Sequence, residues 1–256
     1  MNVRRLLGVV LPPILAFSLL FGCWEAAVRI FDVKRIILPR PSQIAATLVK
    51  DPGFWFGHSV ATAREAVLGF AAAALAAFLL AVAIIHVQAF ERALVPVITM
   101  VQVTPIIALG PPLVIWLGFG LAPKVVMAAL VCLVPFTVSA VSGLRSVDAD
   151  TLELLRSVDA SRMEIFTRLR VPHALPSLCG AARIGVGLSL VGALVAEWSG
   201  SSEGLGYVMA KAQNSFLTTQ VWGAVVVLAV EGMFGVTVIR LIETRLLRWH
   251  PGAVRR

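Results

Sequence analysis

Six stretches of the chain are almost unbroken runs of apolar residues, at 6–23, 66–87, 93–118, 125–144, 177–198 and 221–242. Each is long enough to cross a bilayer as a helix. Polar punctuation separates them. Arg4 and Arg5 precede the first run, and Gln88 to Arg92 form a short hairpin between the second and third. After the first run, Leu38-Pro39-Arg40-Pro41-Ser42 reads as an extended segment, and 43–50 as a short amphipathic helix lying on the lipid surface. The longest polar interlude spans 145–176, between the fourth and fifth runs. The pattern predicts an all-α polytopic membrane protein with six transmembrane helices in a single domain, 1–256.

The runs differ in texture. The second contains an Ala-rich tract at 71–77, whose small residues let helices approach closely. Gly185, Ser189 and Ala193 place a similar stripe on the fifth. The third holds Pro96, Pro105, Pro111 and Pro112, so it is expected to be kinked or split. Broken backbone is tolerated in a membrane only where protein or a water-filled cavity covers it. Gln102 and Thr104 therefore either line a translocation path or merely satisfy the kink. Pro135 lies near the centre of the fourth run, and Arg183 sits where it can snorkel to a membrane surface. The stretch 196–209 is Gly- and Ser-rich and reads as a re-entrant or extracytoplasmic turn centred on Gly204-Leu205-Gly206-Tyr207. Glu197 within it is placed close to the path, with Trp198 and Tyr207 as interfacial anchors. Glu231 falls mid-way along the last run, where a charge costs about 2.5–3.5 kcal/mol on insertion scales. It is protonated, paired within a dimer, or exposed to the path.

Composition supports this picture. Of 256 residues 59% are hydrophobic and 14% charged, and the mean hydropathy is +0.90. The formal charge of +8 fits Lys and Arg in cytoplasmic loops rather than a nucleic-acid surface. Six spans with both termini inside place Arg92, the 145–176 loop and the basic tail (Arg245, Arg248, Arg255, Arg256) in the cytoplasm. Arg29, Lys34, Arg35, Arg40 and Lys50 then fall outside, against the trend, which longer loops obey less strictly. Leu20-Phe21-Gly22-Cys23 faintly resembles a lipoprotein cleavage site, but Phe21 is too large for one, so the first helix is expected to be retained. Cys23, Cys132 and Cys179 have no paired spacing, and the four histidines are scattered. Neither a disulfide framework nor a metal site is expected. No Walker-type phosphate loop and no nucleophile–base constellation is present, so the chain is expected to bind no cofactor of its own.

The polar interlude carries the functional information. It sets Arg145, Arg156, Arg162, Arg168 and Arg170 against Asp148, Asp150, Glu153, Asp159 and Glu164. Asp150 with Glu153 suggests a capping box, and Ser161 with Glu164 a second one. The predicted form is a helix, a break near Asp159 and Ala160, and a second short helix ending around Pro172, all on the membrane surface. Asp tolerates the left-handed backbone that such a break needs.

The run Glu153 to Pro176 (ELLRSVDASRMEIFTRLRVPHALP) resembles the "EAA" loop of permease subunits of binding-protein-dependent ABC importers. Glu153, Leu154 and Leu155 stand at the Glu-Ala-Ala positions, Asp159 at the family's Gly, and Leu175-Pro176 at the closing pair. Leu38-Pro39-Arg40-Pro41-Ser42 is similar to the nitrate, sulfonate and taurine branch, Gln102 to Gly120 to the family's third helix, and Glu197-Trp198 to relatives that carry vitamin precursors such as pyrimidines or riboflavin. The resemblance implies a type I importer permease (MetI-like) fold, with core helices two to six at 66–244, in the inner membrane. It implies a coupling segment at 150–172, docked on a separate ATPase through Glu153, Leu154, Leu155, Arg156, Asp159, Ser161 and Arg162. It further implies two ATPase subunits that hold ATP and Mg, a second permease copy, and an extracytoplasmic solute-binding protein. The rival reading is an ion-coupled secondary transporter using Glu231 or Glu197. It leaves the interlude unexplained.

Overall fold

The computed structural model describes residues 3–248, with side chains from residue 11 onward except at 88, 95, 99 and 102. All regular structure among these residues is helical. A long helix α1 (Val3–Ile30) leads to α2 (Pro41–Lys50), whose first residue is a proline, the position where its missing N–H costs nothing. Then α3 (Pro52–His86) starts at another proline, and Asp51 caps it by accepting the Phe54 N–H at 2.9 Å. This cap extends α3 well ahead of the apolar run that begins at 66.

The core lies between α3, α6 (Leu121–Arg145) and α9 (Val171–Trp198). Small side chains four residues apart on α3, at Ala73, Ala77 and Ala81, meet Cys132, Phe136 and Ala140 of α6 and Ala174 and Ala181 of α9. Ala66, Ala128, Leu190 and Ala193 form the neighbouring layer. A β-carbon at Gly69 or Gly192 would collide with Ala128, so these glycines set how closely α3 and α9 approach α6. The predicted Gly185/Ser189/Ala193 stripe is buried.

Among the described residues, five helices are long and apolar enough to span a membrane, rather than the expected six. The 93–118 run makes the difference, and it is split as its prolines suggested. Helix α4 (Gln88–Val103) stops where Thr104, before Pro105, turns extended. A 3₁₀ turn (Ile106–Leu109) and a short α5 (Gly110–Leu117) follow, closed by Gly118 and Gly120 at positive φ.

The interlude begins with α7 (Ala149–Ser157). Its N-cap is Asp148, with no side-chain cap bond, so the expected capping box at Asp150 and Glu153 does not form. The second helix also differs from expectation: α8 (Arg162–Ile165) does not end near Pro172. It passes through a π turn (Phe166–Arg170) straight into α9. The widened turn carries the Val171 N–H to the Phe166 carbonyl just where Pro172 would clash in an ordinary helix. The segment read as a turn around Gly204 to Tyr207 is instead a loop followed by α10 (Leu205–Asn214), which leads to α11 (Thr218–Leu246).

Helix order gives the bundle two ends. One gathers the C-termini of α3, α6 and α11 with α7 and α8; the other gathers the N-termini of α3, α6 and α11, the C-terminus of α9, and α10. Helix α1 is fastened at the second end, where Glu25 accepts the Ser42 N–H and hydroxyl (3.1 and 2.9 Å) and Trp24 meets Trp222 edge-on.

Candidate functional site

At the loop end, local backbone rules present a small exposed apolar surface. Helix α7 closes with the Ala160 N–H on the Leu155 carbonyl (3.0 Å) and the Asp159 N–H on that of Arg156 (3.2 Å). This is a Schellman closure, and Asp159 fills its left-handed position at φ +54°. The chain restarts with the predicted capping box: the Glu164 N–H donates to the Ser161 hydroxyl, and the Ser161 N–H to the Glu164 carboxylate. Between these caps Leu154 (65%), Val158 (66%) and Met163 (68%) stand exposed. Glu153, Arg156, Asp159, Ser161 and Arg162 are exposed around them, while Leu155 is half-buried beneath. Ile165 and Leu169 face inward and hold the restart on the bundle. Arg145, at the root of the loop, forks onto Glu91 of α4 at 2.9 and 2.8 Å. That guanidinium holds the Glu91 carboxyl below the usual carboxylate range.

Half-way along the bundle, the split limb and α6 leave a crevice of about 540 Å³ lined by Thr104, Ile106, Val134, Pro135 and Ser139. The Thr104 hydroxyl donates to the Met100 carbonyl at 2.7 Å, which satisfies the broken helix end. The Gln102 side chain lies outside the described residues. A second crevice, about 340 Å³ and almost wholly apolar, is bounded by α3, α9 and α11. Glu231 lies at its edge, where one oxygen accepts the Ser59 hydroxyl and the other is buried without a hydrogen bond among the described residues.

The opposite end carries a buried polar network. Glu197, 2% exposed at the end of α9, accepts the Thr62 hydroxyl (2.7 Å) and the Gly206 N–H. Thr62 in turn accepts the Leu205 N–H at 2.8 Å, and the His58 Nδ1 accepts that of Gly204 at 3.0 Å. Three consecutive N–H groups at the start of α10 are therefore held by side chains of α3 and α9. Beside Glu197 lies Glu65 of α3, fully buried, whose Oε1 accepts the Lys124 ammonium of α6 at 2.6 Å. The structure thus gives Glu197 a cap and helix-fastening position. It keeps Glu197, Glu231 and the Thr104 crevice apart rather than in one cluster.

Residues 69–249 match the family of binding-protein-dependent transport system inner membrane components. The chain belongs to that family. It is 33% identical to the formylaminopyrimidine transport permease protein ThiX of Halalkalibacterium halodurans, over 94% of this chain and 96% of the relative. It is 32% identical to the riboflavin transport system permease protein RibX of Chloroflexus aurantiacus, over 94% and 90%. The fold is similar to a chain of the MetNI methionine ABC transporter in an inward-facing conformation, with a TM-score of 0.55 at 18% identity, covering 72% of this chain and 93% of that one. This permease is a multi-pass protein of the cell membrane. As the non-catalytic component of an ABC importer, it works with a separate ATPase and a binding protein, which displaces the ion-coupled alternative.

Sequence reading missed the network around Glu65 and Lys124. A signal was present: an acid inside a 35-residue apolar helix and a lysine in the first turn of another. Nothing in one sequence links two positions 59 residues apart. Helix α10 was missed because its start is rich in Gly and Ser, and its capping partners come from other helices.

Proposed function

We propose that this permease imports a small nitrogen heterocycle of the vitamin-precursor class, using the 150–172 segment as its coupling element. In this reading two copies form the path around a two-fold axis, two ATPase subunits seat against the loops, and the binding protein delivers solute at the opposite end. The loop end, both termini and Arg92 are cytoplasmic, and the α4–α5 limb makes one crossing between α3 and α6. ATP binding draws the ATPases together and moves the loops. Because α8 runs without interruption into α9, that displacement passes into the core helix and rocks the two permeases between inward- and outward-facing states. Leu154, Val158 and Met163 seat in the ATPase, with Glu153, Arg156 and Arg162 around them; Leu155, Asp159 and Ser161 hold the loop's shape. Gln102, Thr104 and Glu231 border the path, while Glu197 fastens its outer end.

The observation that carries this reading is the loop itself: two capped helices presenting bare leucine, valine and methionine side chains among exposed charges. Identity to the formylaminopyrimidine and riboflavin permeases supports the substrate class. The test is a pull-down of tagged chain from native membranes, beside a Glu153→Arg, Leu155→Asp variant, with uptake of formylaminopyrimidine followed in vesicles. A P-loop ATPase recovered with the native chain and lost from the variant supports the coupling assignment. Taurine or nitrate uptake in place of the pyrimidine overturns the substrate.

A further inference from the structure

The helices of the bundle are not held equally. Helices α3, α6 and α9 each bury residues along their length, whereas no described residue of α4 is buried. Phe90, Val97, Met100 and Val103 all stand exposed on it. Its continuation is seated more firmly. Helix α5 begins at buried Gly110, whose missing side chain lets Ser199 at the end of α9 come close, and Leu113 is buried behind it. Between the loose helix and the seated one, the backbone breaks at Thr104 and Pro105, both exposed. An element with few buried contacts beside such a break is the part of a fold that moves at least cost.

The far end of α4 is held by charge. Glu91, in its first turn, accepts both prongs of Arg145, the last residue of α6. Among the described residues this is the one polar contact between α4 and another helix. Toward its other end α4 stands off from the same α6, across the crevice of about 540 Å³. Val101 and Thr104 line one side of it, Val134 and Ser139 the other. Helix α4 is therefore tied to α6 at the loop end and parted from it half-way along. Both partners of the fork are partly exposed, so it adds little to stability. Its two-pronged geometry instead fixes orientation. Arg145 is also the root of the loop, a short turn before α7. A displacement of the loop thus reaches α4 through a single side chain.

We propose that Arg145 and Glu91 are a positioning pair: when the loop is displaced, their fork swings α4 about Thr104 and Pro105 and so sets the width of the crevice. The proposal rests on the coupling role proposed above and deepens it. It adds a second route for the loop's motion, into the split limb rather than along α9.

Thiol labelling with a charge exchange tests it. In a Cys23→Ser background, Ser139→Cys puts a reactive thiol on the crevice wall, while Cys132 and Cys179 are buried. The chain, in lipid nanodiscs with its ATPase, is labelled by a charged methanethiosulfonate with and without ATP and vanadate. Nucleotide is expected to slow labelling about threefold, as when a crevice open about half the time becomes open about one-sixth of it. Glu91→Arg is expected to abolish that response in a chain that still melts cooperatively and still recovers the ATPase. Glu91→Gln, which sets no like charge against Arg145, is expected to do the same. Adding Arg145→Glu to Glu91→Arg re-forms the pair with its charges exchanged and is expected to restore the response. A response that survives both Glu91 substitutions overturns the proposal. So does an exchange that restores nothing in a chain that melts normally and keeps its ATPase, or a thiol that is never labelled, since the crevice then does not open to water. Leu154→Asp separates the underlying reading. A nucleotide response that persists in the Leu154→Asp chain removes the coupling role of the loop, and the proposal falls with it.

Discussion

The two ends of the bundle are built from the same three helices, α3, α6 and α9, yet they are held together differently. At the loop end, alanines, glycines and Leu144 pack closely, and the ion pairs on that side, the Arg145–Glu91 fork and Arg183–Glu243 at 3.7 Å, are partly exposed. Charged and apolar side chains on α7 and α8 point away from the bundle. At the opposite end the joint is polar and buried: Glu65, Lys124, Glu197 and Thr62 bind three helices and the start of α10 into one network. The first end turns its charged and apolar side chains outward, and the second buries them. The coupling role proposed above would use this difference, because force applied to the exposed loop must move a bundle whose far end stays in one piece.

Substitutions should separate the ends by size of effect. The largest belongs to the buried pair. Lys124→Ala strands the Glu65 carboxylate and is expected to destabilise the chain by about 3–5 kcal/mol, whereas Glu65→Leu with Lys124→Met should fall close to the native value. Thermal melting in detergent separates the two; equal losses from both would make the pair a net stabiliser rather than a joint. Next is the cap on α10. Thr62→Val leaves the buried Glu197 oxygen and the Leu205 N–H unpartnered, for about 1–3 kcal/mol. Hydrogen exchange at Leu205 and Gly206 should rise, and unchanged exchange there would remove the cap. At the loop, Leu154→Asp is expected to leave stability within about 0.5 kcal/mol while abolishing ATPase recovery. A melting loss as large as that of Thr62→Val would show that Leu154 belongs to the fold. The smallest effect is at Glu91. Its carboxyl is held below the usual range by Arg145, so the fork's contribution is present at neutral pH and above. It is lost as pH falls through the lowered value. The melting difference between native chain and Glu91→Gln should therefore shrink on acidification, and a difference that grows would reverse the assignment.

How far the sequence reveals each end follows from the range of the interactions. Loop features are local. The Ser161–Glu164 box and the break at Asp159 lie within a few residues of their partners, so spacing shows them. The apolar runs and the proline-split limb are local in the same sense, though proline rules forecast a helix end at Pro172 that the π turn avoids. Capping chemistry alone also misplaced the start of α7, because Asp148 caps by backbone conformation without a side-chain bond. The opposite end is non-local throughout. Thr62 and Glu197 are 135 positions apart, and Gly204 finds His58 across 146. A single chain shows such groups only as isolated polar residues in apolar surroundings. Glu231 was noticed for that reason and Glu197 for its place in the Gly- and Ser-rich stretch, but their partners were not.

The most direct test of this asymmetry is proximity to the ATPase. In the Cys23→Ser background, Leu154→Cys and Ser202→Cys place one thiol at each end, and a short bifunctional cross-linker is applied to native membranes containing the assembled importer. The account predicts that the Leu154→Cys chain is joined to the ATPase and the Ser202→Cys chain is not. Cross-linking from Ser202→Cys alone would contradict it by inverting the two ends.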